Sequence, residues 1–450
     1  MADDTKTGAL RAWGRAAVLL VAAVVIVGAA WWAMGDAEEP TLAPEFDEDW
    51  VTWITRKQTE DGRAPNADAW RYLEVAAGKW ESVESDFWSR GSPDRNAFLF
   101  NTVSRPSWPT GAPVDAFAAE CLEFARELGV FDDIGSWYEA GAQMPPWEDP
   151  ESRVSVGSPL RSLCRALLAM AHYDMAANDL TAFERHLANA MELARAAASD
   201  RTLHGWLIAV SLDGLTMDEL GDFANRGLIP SEVLQRLLGM LNPDRFPAWQ
   251  EVVEGDRRLS EYAKWEERTF ARPSEYRAYA REMRLYWPEY LATVPQTLVA
   301  LDLPVASVMP KTKNMTAVEG LDQWKYTITL CRSTGLSRVL KRRGTACLLA
   351  IELYRAEHGR LPQTLDEAAD AAGLSQDMRI DTSAGQQFVY RVEPDAPHGY
   401  LLYALGADGV DNGGKFDGLR HPAQALNKRG IGFDYNLLAP RQDIKQNSDN

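Results

Sequence analysis

The sequence predicts a mainly α protein with an N-terminal transmembrane helix, a body of helical hairpins and a small C-terminal α+β module. Three observations predict this class. Ala16–Met34 is a run of 19 residues without a charge. Apolar residues then recur at the helical 3.6 period through several stretches. Beyond Asp381 the pattern changes to short aromatic and β-branched runs broken by glycine and proline, the signature of strands and turns.

At about 1.5 Å per residue, a helix over Ala16–Met34 covers ~28 Å, close to the hydrocarbon thickness of a bilayer. Lys6, Arg11 and Arg15 precede it, and Asp36, Glu38 and Glu39 follow it. That asymmetry places the N-terminus in the cytoplasm and the bulk of the chain outside it, in the inner membrane and periplasm of a cell envelope. Trp31 and Trp32 suit the headgroup level of a retained anchor. A cleaved signal peptide is the competing reading, with Val27-Gly28-Ala29 as its cleavage site, but the apolar run exceeds the usual signal core.

The net charge is −18. Residues 1–35 sum to +1, which leaves −19 on the exported part. A body that acidic repels nucleic acid, so nucleic-acid binding is excluded as a main role. Arg338, Lys341, Arg342 and Arg343 form a local basic cluster on an expected helix and read as a solvated face. Cys121, Cys164, Cys331 and Cys347 form no C-x-x-C pair, which removes zinc and thioredoxin-like chemistry. Cys121 and Cys164 fall on apolar helix faces, and Cys331–Cys347 is a conceivable disulfide in an exported chain. His172, His186 and His204 lie on successive expected helices without metal-ligand spacing, and read as core or surface residues.

Residues 1–35 are thus tail and anchor, and the acidic stretch 36–49 with Pro40 and Pro44 is a linker. Residues 50–155 are rich in tryptophan, including Trp50, Trp53, Trp70, Trp80 and Trp137. One helix is expected from Asn66 (Ala69, Trp70, Leu73, Ala76, Ala77). A second is expected after Pro113 (Phe117, Ala118, Cys121, Leu122, Ala125, Leu128), closed by Gly129. The tryptophans do not form one stripe, so they read as large core anchors, with a carbohydrate-stacking surface as the alternative.

Residues 156–300 form the helical-hairpin domain. Leu160, Leu163, Cys164, Leu167, Leu168 and Ala171 share one face, Asn178-Asp179 marks a turn, and Thr181 with Glu184 spells a capping box. The next helix presents Phe183, Leu187, Ala190, Met191 and Ala194. Further starts are read at Thr216 with Glu219, and at Pro230-Ser231 before Val233, Leu234, Leu237 and Leu238. Residues 257–284 mix basic and acidic side chains as a salt-bridged exterior would. The pair of helices near 160–198 loosely resembles a tetratricopeptide hairpin, although no second copy keeps the same spacing. Residues 301–334 read as a connection.

Residues 335–440 form the C-terminal module, followed by a polar tail at 441–450. A helix with Ala346, Cys347, Ala350, Ile351 and Tyr354 on one face stops at His358-Gly359, ahead of Pro362. Thr364 and Glu367 spell a capping box. Asp381–Gly385 is a turn, Phe388–Val392 a strand, Pro394–Gly399 a loop, and Tyr400–Leu405 the second strand of a hairpin. The segment Leu353-Tyr354, His358-Gly359-Arg360 and Pro362, the D-x-x-x-G turn at Asp381–Gly385, and the Tyr403–Gly409 run with Gly413-Gly414 together resemble the globular domain of type II secretion major pseudopilins. The resemblance covers about 75 residues. It implies a structural calcium ion after the last strand, with Asp408 and Asp417 as carboxylate ligands and the Leu405 carbonyl beside them, while Asp411 and Asn412 are additional oxygen donors in reach by sequence. The loop is not an EF-hand, because Val410 and Leu419 stand where acids are required. Plain turn formation on an acidic surface is the alternative. The prepilin peptidase signature is absent, so the resemblance does not imply polymerisation.

No nucleophile elbow, Walker loop, Rossmann glycine run or zincin helix occurs in the chain. The expectation is a single-pass, membrane-anchored envelope scaffold or interaction protein that holds a protein partner on its helical surface. The alternative is an envelope enzyme acting on glycans through the Trp-rich region. That alternative requires Trp50, Trp53, Trp70 and Trp80 to line an exposed cleft beside two carboxylates.

Overall fold

The computed structural model describes residues 50–61, 66–89, 116–141, 150–227, 229–241, parts of 246–258, 319–382, 384–396, 398–405, 409–414 and 435–436. The anchor segment Ala16–Met34, the linker and the charged stretch 259–300 lie outside the described residues. No described helix is long and apolar enough to cross a membrane. Two compact units divide the chain. One comprises residues 48–259, 301–315 and 326–450, and all side-chain contacts below belong to it. The other comprises 1–47, 260–300 and 316–325, of which only the helical backbone of 319–325 is described.

The fold is mainly helical. Among the described residues the helices are α1 (Trp50–Glu60), α2 (Ala67–Ser89), α3 (Ala116–Glu127), α4 (Val130–Ala140), α5 (Pro150–Ala176), α6 (Leu180–Ala198), α7 (Leu203–Asn225), α8 (Ser231–Leu241), α9 (Glu319–His358) and α10 (Leu365–Ala371). The strands are β1 (Ile380–Asp381), β2 (Gln386–Gln387), β3 (Val389–Val392), β4 (Tyr400–Ala404) and β5 (Tyr435–Asn436).

The start of α2 is fixed by Asn66, whose Oδ1 accepts the Ala69 amide at 3.0 Å. Gly129 adopts the left-handed conformation at φ 74° that closes α3, but the chain turns at once into α4, an element the periodicity did not reveal. Leu160, Leu163, Cys164, Leu167, Leu168 and Ala171 are all buried on α5, as their spacing requires. The expected cap at Thr181 is displaced by two residues. Asp179 is the N-cap of α6 and accepts the Ala182 amide at 3.0 Å. Thr216 does not begin a helix either. It sits inside α7 and returns its hydroxyl to the Leu212 carbonyl at 3.0 Å, while Thr202 caps the helix through the Gly205 amide. α8 starts after Pro230 as expected, with Val233, Leu234, Leu237, Leu238 and Leu241 buried.

Helix neighbours follow an order. α2 packs on α4, α5 on α6, and α6 on α7. Contacts also run in succession from α2 to α5 to α7 and from α4 to α6 to α8.

α9 is longer than the segment expected from Gly344, running unbroken from Glu319. Cys331 and Cys347 both lie on it, 16 residues apart, so about 24 Å of helix rise separates them and no disulfide can join them. Cys347 is a free, buried thiol that meets the Met378 carbonyl at 3.4 Å. Gly359, at φ 66°, terminates α9 in the left-handed cap position. Thr364 caps α10 through the Glu367 amide at 3.1 Å, and the Glu367 carboxylate reaches back to the Gln363 amide, one residue before the expected partner.

The C-terminal module is the expected hairpin on a helix. β3 and β4 pair antiparallel with Val389 opposite Tyr403 and Val392 opposite Tyr400, and β5 adds to β4 to give the order β3-β4-β5. β1 and β2 flank the Asp381–Gly385 turn, closed by the Gly385 amide on the Asp381 carbonyl at 2.8 Å. One continuous apolar core runs from Trp70 and Trp80 through α5–α8 to Ile351, Phe388 and Leu402. The helical body and the module therefore share their burial.

Candidate functional site

Leu405, Asp408, Asp411 and Asp417 follow β4, and of these Asp408 and Asp417 lie outside the described residues. Leu405 is buried, and its amide donates to Asp381 Oδ2 at 2.9 Å. Asp381, wholly buried, is thereby the fastening point of the loop. Asp411 Oδ1 accepts from the Tyr403 hydroxyl and the Gly413 amide, each at 2.8 Å. Those two donors, the amide first, hold the Asp411 carboxyl below the usual carboxylate range. One Asp411 oxygen therefore closes its own turn onto β4, the local bonding that makes aspartate a turn former. Among the described residues no three histidine, cysteine or acidic side chains approach closely enough to hold a metal ion.

The tryptophans take the other path. Trp50, Trp53, Trp70 and Trp80 are all at most 4% exposed, and Trp137 is fully buried. Trp50 stacks on Trp53 at 5.8 Å between ring centroids, and Trp80 Nε1 donates to Glu84 at 2.8 Å. No stacking cleft exists at these four residues, which removes the condition on which the glycan-active reading depends.

The basic cluster of α9 is a correction. Arg338 and Arg342 are each 3% exposed and converge on Asp213 of α7, which is fully buried. Arg342 Nη1 reaches Asp213 Oδ1 at 2.7 Å, and Arg338 Nη1 reaches Oδ2 at 3.3 Å. Arg342 also donates to the Met240 carbonyl at 3.3 Å. The Arg338 guanidinium lies over Phe246 at 3.8 Å, with Trp206 at 5.6 Å. Lys341 pairs with Asp218 at 2.6 Å, and Arg343 donates to the Ile380 carbonyl at 3.3 Å. What reads as a solvated face is a clasp between α9 and α7. Asp213 was the residue sequence reasoning missed, and it carried a signal: it is the only Asp, Glu, Lys or Arg between Leu203 and Thr216.

His172 and His186 are core residues with acidic partners, whereas His204 is partly buried. His172 Nε2 meets Glu219 Oε2 at 2.8 Å, tying α5 to α7, and His186 Nδ1 meets Asp174 Oδ2 at 2.5 Å, tying α6 to α5. A third polar knot was not foreseen. Arg201, 1% exposed at φ 48°, pairs with Asp61 at 2.8 Å and Glu251 at 3.3 Å, and Gln58 donates to the adjacent Ser199 carbonyl at 3.1 Å. α1 is thereby fastened to the α6–α7 turn.

Chemically, these arrangements position helices. Burial pushes the Cys164 and Cys347 thiols up to about 12, so neither supplies a thiolate nucleophile at neutral pH. Tyr400 donates to Glu352 at 2.7 Å in the interface between α9 and β4. Desolvation raises both groups, which leaves the carboxyl inclined to keep its proton. No family model, curated protein or solved structure matches the chain.

Proposed function

We propose that this protein is a single-pass, membrane-anchored scaffold of the cell envelope, inserted through Ala16–Met34, with a cytoplasmic N-terminus and an extracytoplasmic body that holds a protein partner. The observation that carries the reading is the neighbour order of the helices, α2–α5–α7 and α4–α6–α8. Successive stacking of hairpins is the arrangement by which helical repeats build extended surfaces for partners. Burial of the tryptophans in the core supports it over a carbohydrate platform. The test is fractionation of cells expressing the full chain, with protease added to spheroplasts. The intact chain is expected in the membrane pellet after alkaline extraction, with residues beyond 49 digested from outside. Recovery of the intact chain in the soluble fraction would sink the anchored reading.

The C-terminal module extends the proposal. In it the pseudopilin-like loop binds Ca²⁺ through Asp408, Asp417, the Leu405 carbonyl and the second oxygen of Asp411. Support comes from the ordered Asp381–Leu405 and Asp411–Tyr403 bonds, which bring the two ends of the loop to β4. Added Ca²⁺ is expected to raise the melting temperature of the full chain, and Asp408→Ala to abolish the rise. An unchanged melting temperature in the wild type removes the ion from the proposal.

A further inference from the structure

The loop between β3 and β4 meets the helical body at the end of α7. Asn225 is the last residue of that helix, so its carbonyl has no partner within it. The half-buried His398 imidazole donates to this carbonyl and so caps α7 from the C-terminal module. The loop itself is closed by three backbone bonds of 2.9 Å, from the Glu393 amide to the Gly399 carbonyl, from Ala396 to Glu393, and from Gly399 to Ala396. His398 therefore joins a small, self-closed loop to the end of a core helix.

Histidine changes charge between about pH 5 and 8, and here a gained charge is badly placed. α9 brings Arg355, which reaches the His398 carbonyl at 3.5 Å, and Glu352, whose carboxyl is buried against the Tyr400 hydroxyl at 2.7 Å. β4 brings the Tyr400 ring, 6.3 Å from the imidazole between centroids. Beside Asn225, Arg226 pairs with Asp222 at 2.7 Å. Glu393 and Asp395 lie exposed in the loop itself. Burial holds the His398 pKa below its ordinary 6.5, against the pull of the Asn225 carbonyl, and Arg355 lowers it further.

We infer that His398 is a pH-responsive latch between the C-terminal module and the helical body. The neutral imidazole seats the β3–β4 loop on α7, and uptake of a proton from mildly acidic solvent weakens that seat. An imidazolium is attracted by the negative end of α7, but it also gives up solvent and faces Arg355, and the latter two effects prevail. Because the folded group resists its proton, the seat is at full strength above pH 6.5 and is lost as the pH falls through the folded value. The latch is a property of the fold and does not depend on the anchored reading.

The experiment is amide hydrogen exchange of the full chain in detergent, at about pH 7.5 and about pH 5, corrected for the intrinsic pH dependence of exchange. Peptides covering residues 388–405 report the seat, and α8, which contains no histidine, is the internal reference. Protection of 388–405 relative to α8 is expected to fall at least severalfold at the lower pH. His398→Gln can still donate to Asn225 but takes up no proton, so the fall is expected to vanish. Protection in that variant stays level or rises in acid, since Glu352 keeps its proton there. Arg355→Gln removes the neighbouring cation and is expected to move the midpoint of the loss upward, towards pH 6.5. That shift tests the latch even if glutamine seats the loop differently. Wild-type protection that stays level on acidification overturns the inference. A rise also overturns it, because the imidazolium is then the better cap of α7. An equal fall in wild type and His398→Gln does the same, since another group then titrates.

Discussion

Asp213→Asn is the most informative single change in this protein. Asp213 is fully buried and meets Arg342 at 2.7 Å and Arg338 at 3.3 Å. At an effective dielectric of about 20, a unit-charge pair ~4 Å apart is worth roughly 4 kcal/mol. The two contacts do not simply add. The guanidinium groups repel each other, and burying all three charges has its own desolvation cost. Removing one partner of such a cluster leaves uncompensated charge in the interior and costs about 3–5 kcal/mol. Asparagine keeps the side-chain volume, so the loss reports charge and not a cavity.

The assay is urea unfolding of the full chain in detergent, followed by tryptophan fluorescence. Trp206 reports directly, since Arg338 lies over its ring and Gly335 packs against it. With an m-value of about 3 kcal/mol/M, the midpoint is expected to fall by roughly 1–1.7 M. A companion variant sharpens the logic. Asp213→Leu combined with Arg338→Met and Arg342→Met replaces the cluster with apolar volume and is expected to unfold within about 1 kcal/mol of wild type, or later. A midpoint shift below about 0.3 M for Asp213→Asn, corresponding to ~1 kcal/mol, would show that the three charges are solvated and that no clasp exists.

Three further outcomes follow from the same contacts. Gly335→Ala places a methyl 2.9 Å from Trp206 Cζ2, so α9 must move off α7, and a loss of about 1–3 kcal/mol in thermal unfolding is expected. Glu367 is held down to about 2, first by the Tyr354 hydroxyl, then by the Gln363 amide and Arg360. Its folded pKa lies below the unfolded 4.5, so its stabilisation is present above pH 4.5 and is lost as the pH falls towards 2. The stability gap between wild type and Glu367→Gln should therefore shrink on acidification across that window, and a constant gap would refute the assignment. Glu352 runs the other way. Its pKa is raised, chiefly by burial, so wild-type stability falls as the pH rises from 4.5 through the folded value, and Glu352→Gln should flatten that slope in melting temperatures measured from pH 4 to 8.

The parts of the fold that were legible in the sequence are those set by neighbours within one or two turns. The apolar faces of α5, α6 and α8, the cap at Gly359, and the β3–β4 hairpin all follow from local spacing. Of α9 the stretch Ala346–Tyr354 was legible as a helix, but not its start at Glu319, and Gly344–Tyr354 is buried on every side where the spacing assigned one apolar face. Thr216 with Glu219 imitates a helix start because the capping pattern is local, whereas both side chains serve the interior. The threonine bonds back to Leu212, and the glutamate takes His172. The loop after β4 is half legible, since Asp411 is spent in part on Tyr403 and Gly413, a use that spacing cannot separate from ligation.

The long-range charges are the harder lesson, and they also explain why the clasp is charged at all. Asp213 finds Arg342 across 129 residues and Arg201 finds Asp61 across 140, so no window of sequence contains either pair. Apolar contact alone would hold α9 against α7, but an apolar face tolerates a shift of one turn or a modest rotation. Arg338 and Arg342, four residues apart, can straddle one aspartate in a single register only. Gly335 facing Trp206 adds a steric stop one turn away. A buried charge used in this way contributes little net stability and much positional definition. Because α9 also carries Glu352 against Tyr400 and Cys347 against Met378, fixing its register at Asp213 fixes where the β-sheet module sits on the helical body. A slip at the clasp would bring unpaired Glu352 and Arg342 into the core together, so the two ends of the helix reject the same errors.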